Sequence, residues 1–203
     1  MCIYIPLLCR GCFAVKKTLI FITLFALLLS SNSHALEIKG PELSAKEKNL
    51  YVSFQFRFDQ KQISSLKKGL PKEVVFFVDL FRSWDAWPDE FIRGLKIIRR
   101  LTADAMKKEY KASSYDGKTL DMRRFNSLDS LLAWSLSFKD LPLTDFEDLE
   151  PGRYFVKITA ESKRTKIPPL ISEIFFFLPS REFRISKNSD IFVWNKERLG
   201  IPK

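Results

Sequence analysis

The chain has 203 residues, with 34 Lys or Arg against 24 Asp or Glu, a net charge of +10, one histidine and three cysteines. Cys2, Cys9, Cys12 and His34 all lie in the first 34 residues, so everything after them lacks both thiol and imidazole. From residue 36 onward that excludes a Ser-His-Asp triad, a Cys-His dyad, a His-ligated metal and any disulfide framework, and no cofactor is expected.

Met1–Ala14 precedes the first charged pair, Lys16-Lys17, and the expected translation start is Val15. The rival reading, a lipoprotein acylated at Cys9 or Cys12, lacks both a basic segment ahead of the cysteine and a small residue before Cys9. Cys9-Arg-Gly-Cys12 spells a C-x-x-C, but a zinc site needs two further ligands. Val15–Ala35 then reads as a cleavable secretory signal: two lysines, an apolar run over Thr18–Leu29, a polar break, and Ser33-x-Ala35 at the cleavage position. Those 12 apolar residues fall short of the ~20 that span a bilayer as a helix.

Cleavage after Ala35 leaves Leu36–Lys203, 168 residues with 31 basic and 24 acidic side chains, in the periplasm or outside the cell. A chain of that length buries about two-thirds of its unfolded surface and needs no disulfides. Its charge suits an acidic envelope protein or an anionic membrane surface; the plainer account is solubility. The compartment argues against nucleic acid.

Leu36–Ser44 reads as an irregular strand broken at Gly40-Pro41. Leu50–Asp59 alternates, with Val52, Phe54, Phe56 and Phe58 on one face and Ser53, Gln55 and Arg57 on the other, the pattern of a half-buried strand. Asp59-x-x-Gln62 is a helix start of capping-box type, Ile63 and Leu66 give that helix an apolar face, and Gly69 ends it. Lys72–Ser83 is apolar on both faces, which predicts a central strand. Trp84–Asp89 turns, and Phe91–Leu101 returns with Leu95, Ile97, Arg99 and Leu101 facing away from Lys96, Ile98 and Arg100. Met106–Tyr115 follows, with Tyr110 and Ala112 inward. Asp116-Gly117 is a strong hairpin signal, and Thr119–Phe125 is its returning arm. Asn126–Leu136 reads as a second short helix capped by Asn126 or Ser127, with a stripe of Leu128, Leu131, Leu132 and Leu136. Leu141–Glu150 reads as an acidic loop, and Arg153–Lys163 as a strand with Tyr154, Val156, Ile158 and Ala160 on one face. Leu170–Leu178 reads as a last core strand. Pro179–Lys203 reads as a polar tail with one apolar knot, Ile191–Trp194.

Many short strands, frequent turn signals and two small helices predict an all-β fold, an antiparallel immunoglobulin-like β-sandwich; the alternative is a small β-barrel. Tyr154 just after Pro151-Gly152 matches a tyrosine corner. The expected organisation is an extension plus leader over 1–35, one sandwich domain over 36–178, and a tail over 179–203 docked in part through Ile191–Trp194.

The order of several motifs resembles a known family. A secretory leader precedes a Phe-rich strand and a helix ending Lys67-Lys68-Gly69-Leu-Pro71. Arg82-x-Trp84 and Trp87 follow, then a basic strand and Lys108-x-Tyr110. Phe125-Asn-Ser-Leu-Asp-Ser-Leu131, Leu149-x-Pro-Gly-x-Tyr154, Ile167-Pro-Pro169 and an aromatic segment ending at Trp194 complete the series. Over roughly Leu43 to Trp194 the chain resembles the exported bacterial proteins termed domain of unknown function 4390. The chain departs from the family at Thr102, where an aromatic is usual, and in a looser Arg181–Trp194 segment. The resemblance implies an envelope-facing β protein, brings no catalytic residues, and hints at signalling beside a membrane sensor kinase.

Four groups of residues carry the functional expectations. Trp84 and Trp87, with Arg82, Asp85 and Asp89, can form a partner hot spot or a sugar-stacking platform; the plainer reading folds one tryptophan back onto the sandwich. Asp145, Glu147, Asp148 and Glu150 lack the spacing and glycine of a calcium loop, and read as a solvated acidic stretch. Arg93, Lys96, Arg99 and Arg100, with Lys107, Lys108, Lys111, Arg123 and Arg124, suggest a basic hairpin pair. Phe192 and Trp194 can dock internally or serve a partner. The expected function is a non-enzymatic binding or adaptor module for another envelope protein, through Arg82, Trp84, Asp85, Trp87, Arg99, Arg100, Phe192 and Trp194. The alternatives are a carboxylate-based hydrolase of envelope polysaccharide and a basic protein of the membrane surface.

Overall fold

Two apolar stripes with a period of two meet face to face. One is Val52, Phe54, Phe56 and Phe58, and the other is Val74, Phe76, Val78 and Leu80, all of them buried. The rings interlock: Phe54 stacks on Phe138 at 4.5 Å between centroids, Phe76 meets Phe138 at 4.9 Å, and Phe56 meets Phe76 edge-on at 5.7 Å. Each fully buried phenylalanine contributes about 2–3 kcal/mol of transfer free energy, so this cluster is the main force joining the layers. The structure is a computed structural model, and it describes residues 35–104, 106–163, 181–195 and 199–200. The expected strand over Leu170–Leu178 and nearly all of the expected leader lie outside the described residues.

The strands are β1 (Glu37–Lys46), β2 (Asn49–Arg57), β3 (Lys72–Ser83), β4 (Glu90–Asp104), β5 (Glu109–Tyr115), β6 (Leu120–Phe125), β7 (Ser137–Asp145), β8 (Gly152–Lys163), β9 (Arg181–Asn188), β10 (Phe192–Trp194) and β11 (Leu199–Gly200). The helices are α1 (Gln60–Lys67) and α2 (Leu128–Leu136), with a 3-10 turn at Phe146–Asp148. The small sheet has the order β1-β2-β7 and the large one β11-β10-β8-β3-β4-β5-β6, with β9 also on β8. Every pairing is antiparallel. Both sheets are open-ended, which makes the fold a β-sandwich and rules out the small-barrel alternative. β3 is central, paired with β4 on one side and β8 on the other, as its two apolar faces predict.

Local chemistry sets the boundaries. Asp59 caps α1 by accepting the Gln62 amide at 2.7 Å, and Gly69 ends it at φ +83°. The reciprocal half of the expected capping box is not made: Gln62 is buried, and its Oε1 has no partner among the described residues. Ser127 caps α2 through the Ser130 amide at 3.2 Å. In β1 the register slips between Lys39 and Glu42, and Gly40 sits there at φ +88°. A Cβ on Gly40 would lie 2.9 Å from the Ser53 carbonyl, so the slip needs glycine.

The sequence reading of Leu141–Glu150 as a loop is corrected. Ser137–Asp145 forms β7, an edge strand of the small sheet. Pro142 is tolerated because an edge strand has one side without ladder partners. The Arg181–Asn188 part of the expected polar tail is β9, in register with Lys157–Lys163 of β8. Ser189 bridges the change from β9 to β10: its amide donates to the Val156 carbonyl at 2.8 Å and its hydroxyl accepts the Val156 amide at 2.9 Å.

Candidate functional site

Arg82 holds the hairpin between β3 and β4 from below. It is the penultimate residue of β3 and pairs with Tyr154. Its Nη1 donates to Glu150 at 2.7 Å and its Nη2 to the Pro151 carbonyl at 3.0 Å. The same guanidinium lies 4.3 Å from the centroid of the Trp84 ring. Gly152 makes the room: a Cβ there would stand 3.0 Å from Arg82 Nε. Arg153 adds a second tie by donating to the Asp85 carboxylate. Glu150 holds the Arg82 charge in place and raises its pKa.

The loop behind these ties is itself fixed. The Tyr154 hydroxyl donates to the Glu150 carbonyl at 2.6 Å, the bond of a tyrosine corner. Tyr154 is buried and its ring stacks on Phe192 at 5.8 Å. The corner therefore positions Glu150, Glu150 positions Arg82, and Arg82 supports Trp84. Trp87, at the apex, is 77% exposed, against 43% for Trp84. The plainer reading applies in part to Trp84, which leans on Arg82, whereas Trp87 projects.

The other expected site residues do not gather at this tip. Arg99 points into the sandwich, stacked at 4.1 Å over Trp134 and 4.9 Å over Phe138. Its Nε and Nη1 are buried without a hydrogen-bond partner among the described residues, and burial lowers its pKa to about 10. Arg123 also faces Trp134, at 5.0 Å, and takes the nearby carboxylate of Asp121 at 3.0 Å. Arg100 points the opposite way and pairs with Glu73 at 2.7 Å. Phe192 is fully buried, and Trp194 stacks on Phe146 at 4.7 Å. Both aromatics dock within the chain. Ala35, the expected cleavage position, is the first described residue and is exposed.

The acidic stretch is dispersed. Asp145 accepts the Glu147 amide at 2.9 Å, Glu147 pairs with Lys48, Asp148 with Arg93 at 3.5 Å, and Glu150 with Arg82. Among the described residues no three acidic or other ligand side chains converge to hold a metal ion.

Sequence reasoning missed two features of the large sheet's outer face. One is Asp79 amid aromatic rings: Phe81 stacks on Phe155 at 5.4 Å and meets Phe91 at 5.8 Å. The other is the exposed trio Tyr115, Leu120 and Met122 on β5 and β6. The period-two pattern carried the signal for the second, because inward Ala112 forces Ser113 and its cross-strand partner Met122 outward.

The fold and the tip together define a non-barrel β-sandwich with a tyrosine corner and a braced aromatic hairpin. Residues 33–190 match the family described as Domain of unknown function (DUF4390), and the chain belongs to that family. No curated protein and no solved structure matches it.

Proposed function

We propose that this is an exported, envelope-facing binding module that holds a partner protein through the Trp84–Trp87 hairpin, without catalysis of its own, in the setting of membrane sensor-kinase signalling. The observation that carries the reading is the contrast within the hairpin: Trp87 is 77% exposed while its base is tied down by Arg82 and Arg153. A rigid, solvated indole loses little entropy on docking and buries a large apolar area, the usual composition of an interface hot spot. The leader over Val15–Ala35 supports the compartment.

The test is in-cell photo-crosslinking from position 87, followed by mass spectrometry, with Trp87→Ala and Trp84→Ala compared in co-purification. A discrete envelope protein captured from position 87, and lost in Trp87→Ala, is the expected result. Unchanged co-purification of every partner in the double variant would remove the tip from the interface.

A further inference from the structure

The outer face of β4, β5 and β6 is ordered in rows by strand register. Leu101, Ala103 and Ala112 are buried, so the residues between them face out. Ile98, Tyr115 and Leu120 stand opposite one another and form an apolar row. The next row is Arg100, Ser113 and Met122, and the next is Thr102, Lys111 and Arg124. Apolar groups thus lie toward the β5–β6 turn, and cations toward the β4–β5 turn.

The apolar groups are unusually open for side chains in mid-strand: Leu120 is 60% exposed and Met122 is 73%. Met106, in the β4–β5 turn beside Lys107 and Lys108, is exposed almost completely. Between the rows lies a shallow cavity of about 510 Å³ whose lining includes Arg100, Lys111, Ser113, Met122 and Arg124. The facing carboxylates are engaged. Glu73 pairs with Arg100, Glu109 with Lys111 at 2.6 Å, and Asp104 accepts the amides of Met106 and Lys107. Asp116 accepts the amides of Lys118 and Thr119 in the β5–β6 turn. The Arg124 guanidinium has no side-chain hydrogen bond or close ion pair among the described residues, although its charge reaches Glu109. β6 is the free edge of the sheet, so nothing in the described fold continues beyond Met122.

We infer that this face docks on an anionic phospholipid bilayer. Phosphate diesters meet Arg124 and the paired Arg100 and Lys111 at the rim of the cavity, while Leu120, Met122 and Tyr115 reach the acyl boundary. Protruding aliphatic side chains beside cations are the combination that an anionic interface rewards. A partner helix would need its apolar contacts to converge in a groove, and a partner strand added to the β6 edge would pair through its main chain and leave the outward Leu120, Met122 and cations unused. This surface is separate from the Trp87 tip, so either inference can fail alone.

The test is flotation of the protein, in the form isolated from cells, with vesicles of phosphatidylglycerol in phosphatidylcholine and with phosphatidylcholine alone, at low and high salt. Binding to the anionic vesicles that weakens with salt is expected, with at most weak binding to the neutral ones. Lys111→Gln with Arg124→Gln should lower vesicle partitioning about twenty-five-fold, at roughly fivefold per cation. Leu120→Ser with Met122→Ser should lower it at every salt concentration. All four positions are exposed, and matched thermal midpoints show that each variant is folded. Free phosphate and glycerophosphate should compete poorly, because they lack the acyl boundary. Equal binding to neutral vesicles, unchanged partitioning in both variants, or capture of a soluble acidic protein in place of vesicles would overturn the inference.

Discussion

The carboxylate of Asp79 occupies the space over Gly94 on the neighbouring strand. The two residues are register partners in β3 and β4, and a Cβ on Gly94 would collide with Asp79 Oδ1 and lie 3.2 Å from the Phe91 ring. Lys157 stands opposite Asp79 on the other side, in β8. Burial raises the Asp79 pKa above its ordinary 3.8, and the charge of Lys157 pulls it partly back.

The sign of the pH dependence follows. Between the raised folded value and the ordinary unfolded one, the folded chain binds more protons than the unfolded chain. Stability contributed by this site therefore rises as pH falls through that window, and the penalty for the charged form is full above it. Asp79→Asn should be more stable than wild type at pH 7, by less than about 1 kcal/mol once solvent screening is counted. The difference should shrink toward pH 4. Urea melts at the two pH values check this; a variant advantage that grows in acid sinks it. Gly94→Ala should cost about 1–3 kcal/mol by overpacking.

Tyr154 should be worth more than its ring. Tyr154→Phe keeps the stacking on Phe192 and deletes only the 2.6 Å bond to the Glu150 carbonyl. The expected cost is about 1–2 kcal/mol, with an unchanged urea m-value. Because Glu150 anchors Arg82, the Trp84 indole should also become more accessible to a fluorescence quencher. A loss of stability without that second effect would uncouple the corner from the tip.

Much of this framework was legible where the period was strict and local signals agreed with it. β2 and β8 announce their faces by alternation, β3 its central place by apolar residues on both faces, Asp59 and Gly69 mark the ends of α1, and Asp116-Gly117 marks a hairpin. β7 escaped because a positive-φ Asp140, a proline at 142 and a run of acids mask its few inward residues, Phe138 and Leu143. β9 escaped because an edge strand exposes Arg184, Ser186 and Asn188, and so reads as a tail. The tryptophan cluster was visible as composition. Which indole projects was not, since that depends on Arg82, Gly152 and Glu150 meeting from strands distant in sequence. The basic residues of β4 form one group by composition, but its alternation already separates Arg99 from Arg100, as the fold does, with Arg99 inward and Arg100 outward.

The brace under Trp84 should depend on planarity as well as charge. Arg82 uses two nitrogens for two acceptors and its flat face for the indole. Arg82→Lys retains the charge but cannot satisfy all three contacts. In a Trp87→Phe background, Arg82→Lys should raise quenching of Trp84 nearly as far as Arg82→Ala. Full protection by lysine would show that charge alone holds the ring.

Arg99 presents the opposite case, a cation whose removal should do little harm. Its guanidinium lies between Trp134 and Phe138, two of its nitrogens have no acceptor, and the local carboxylate of Asp121 is already bound by Arg123. The stacking offsets part of the desolvation cost, by about 1 kcal/mol at this half-buried site. The unsatisfied nitrogens and the like charge of Arg123 count against the native residue. Methionine has similar length, fits between flat rings and carries no charge to bury. Arg99→Met should therefore leave stability unchanged or raise it by about 1–2 kcal/mol, as replacements of buried charges often do. Trp134→Ala should lose about 3 kcal/mol or more, because it strips the ring from Phe125, Arg99 and Arg123 together. Urea denaturation of both variants decides between the two sites. A loss above about 3 kcal/mol in Arg99→Met would mean that the guanidinium finds an acceptor in solution, and that β4 relies on it.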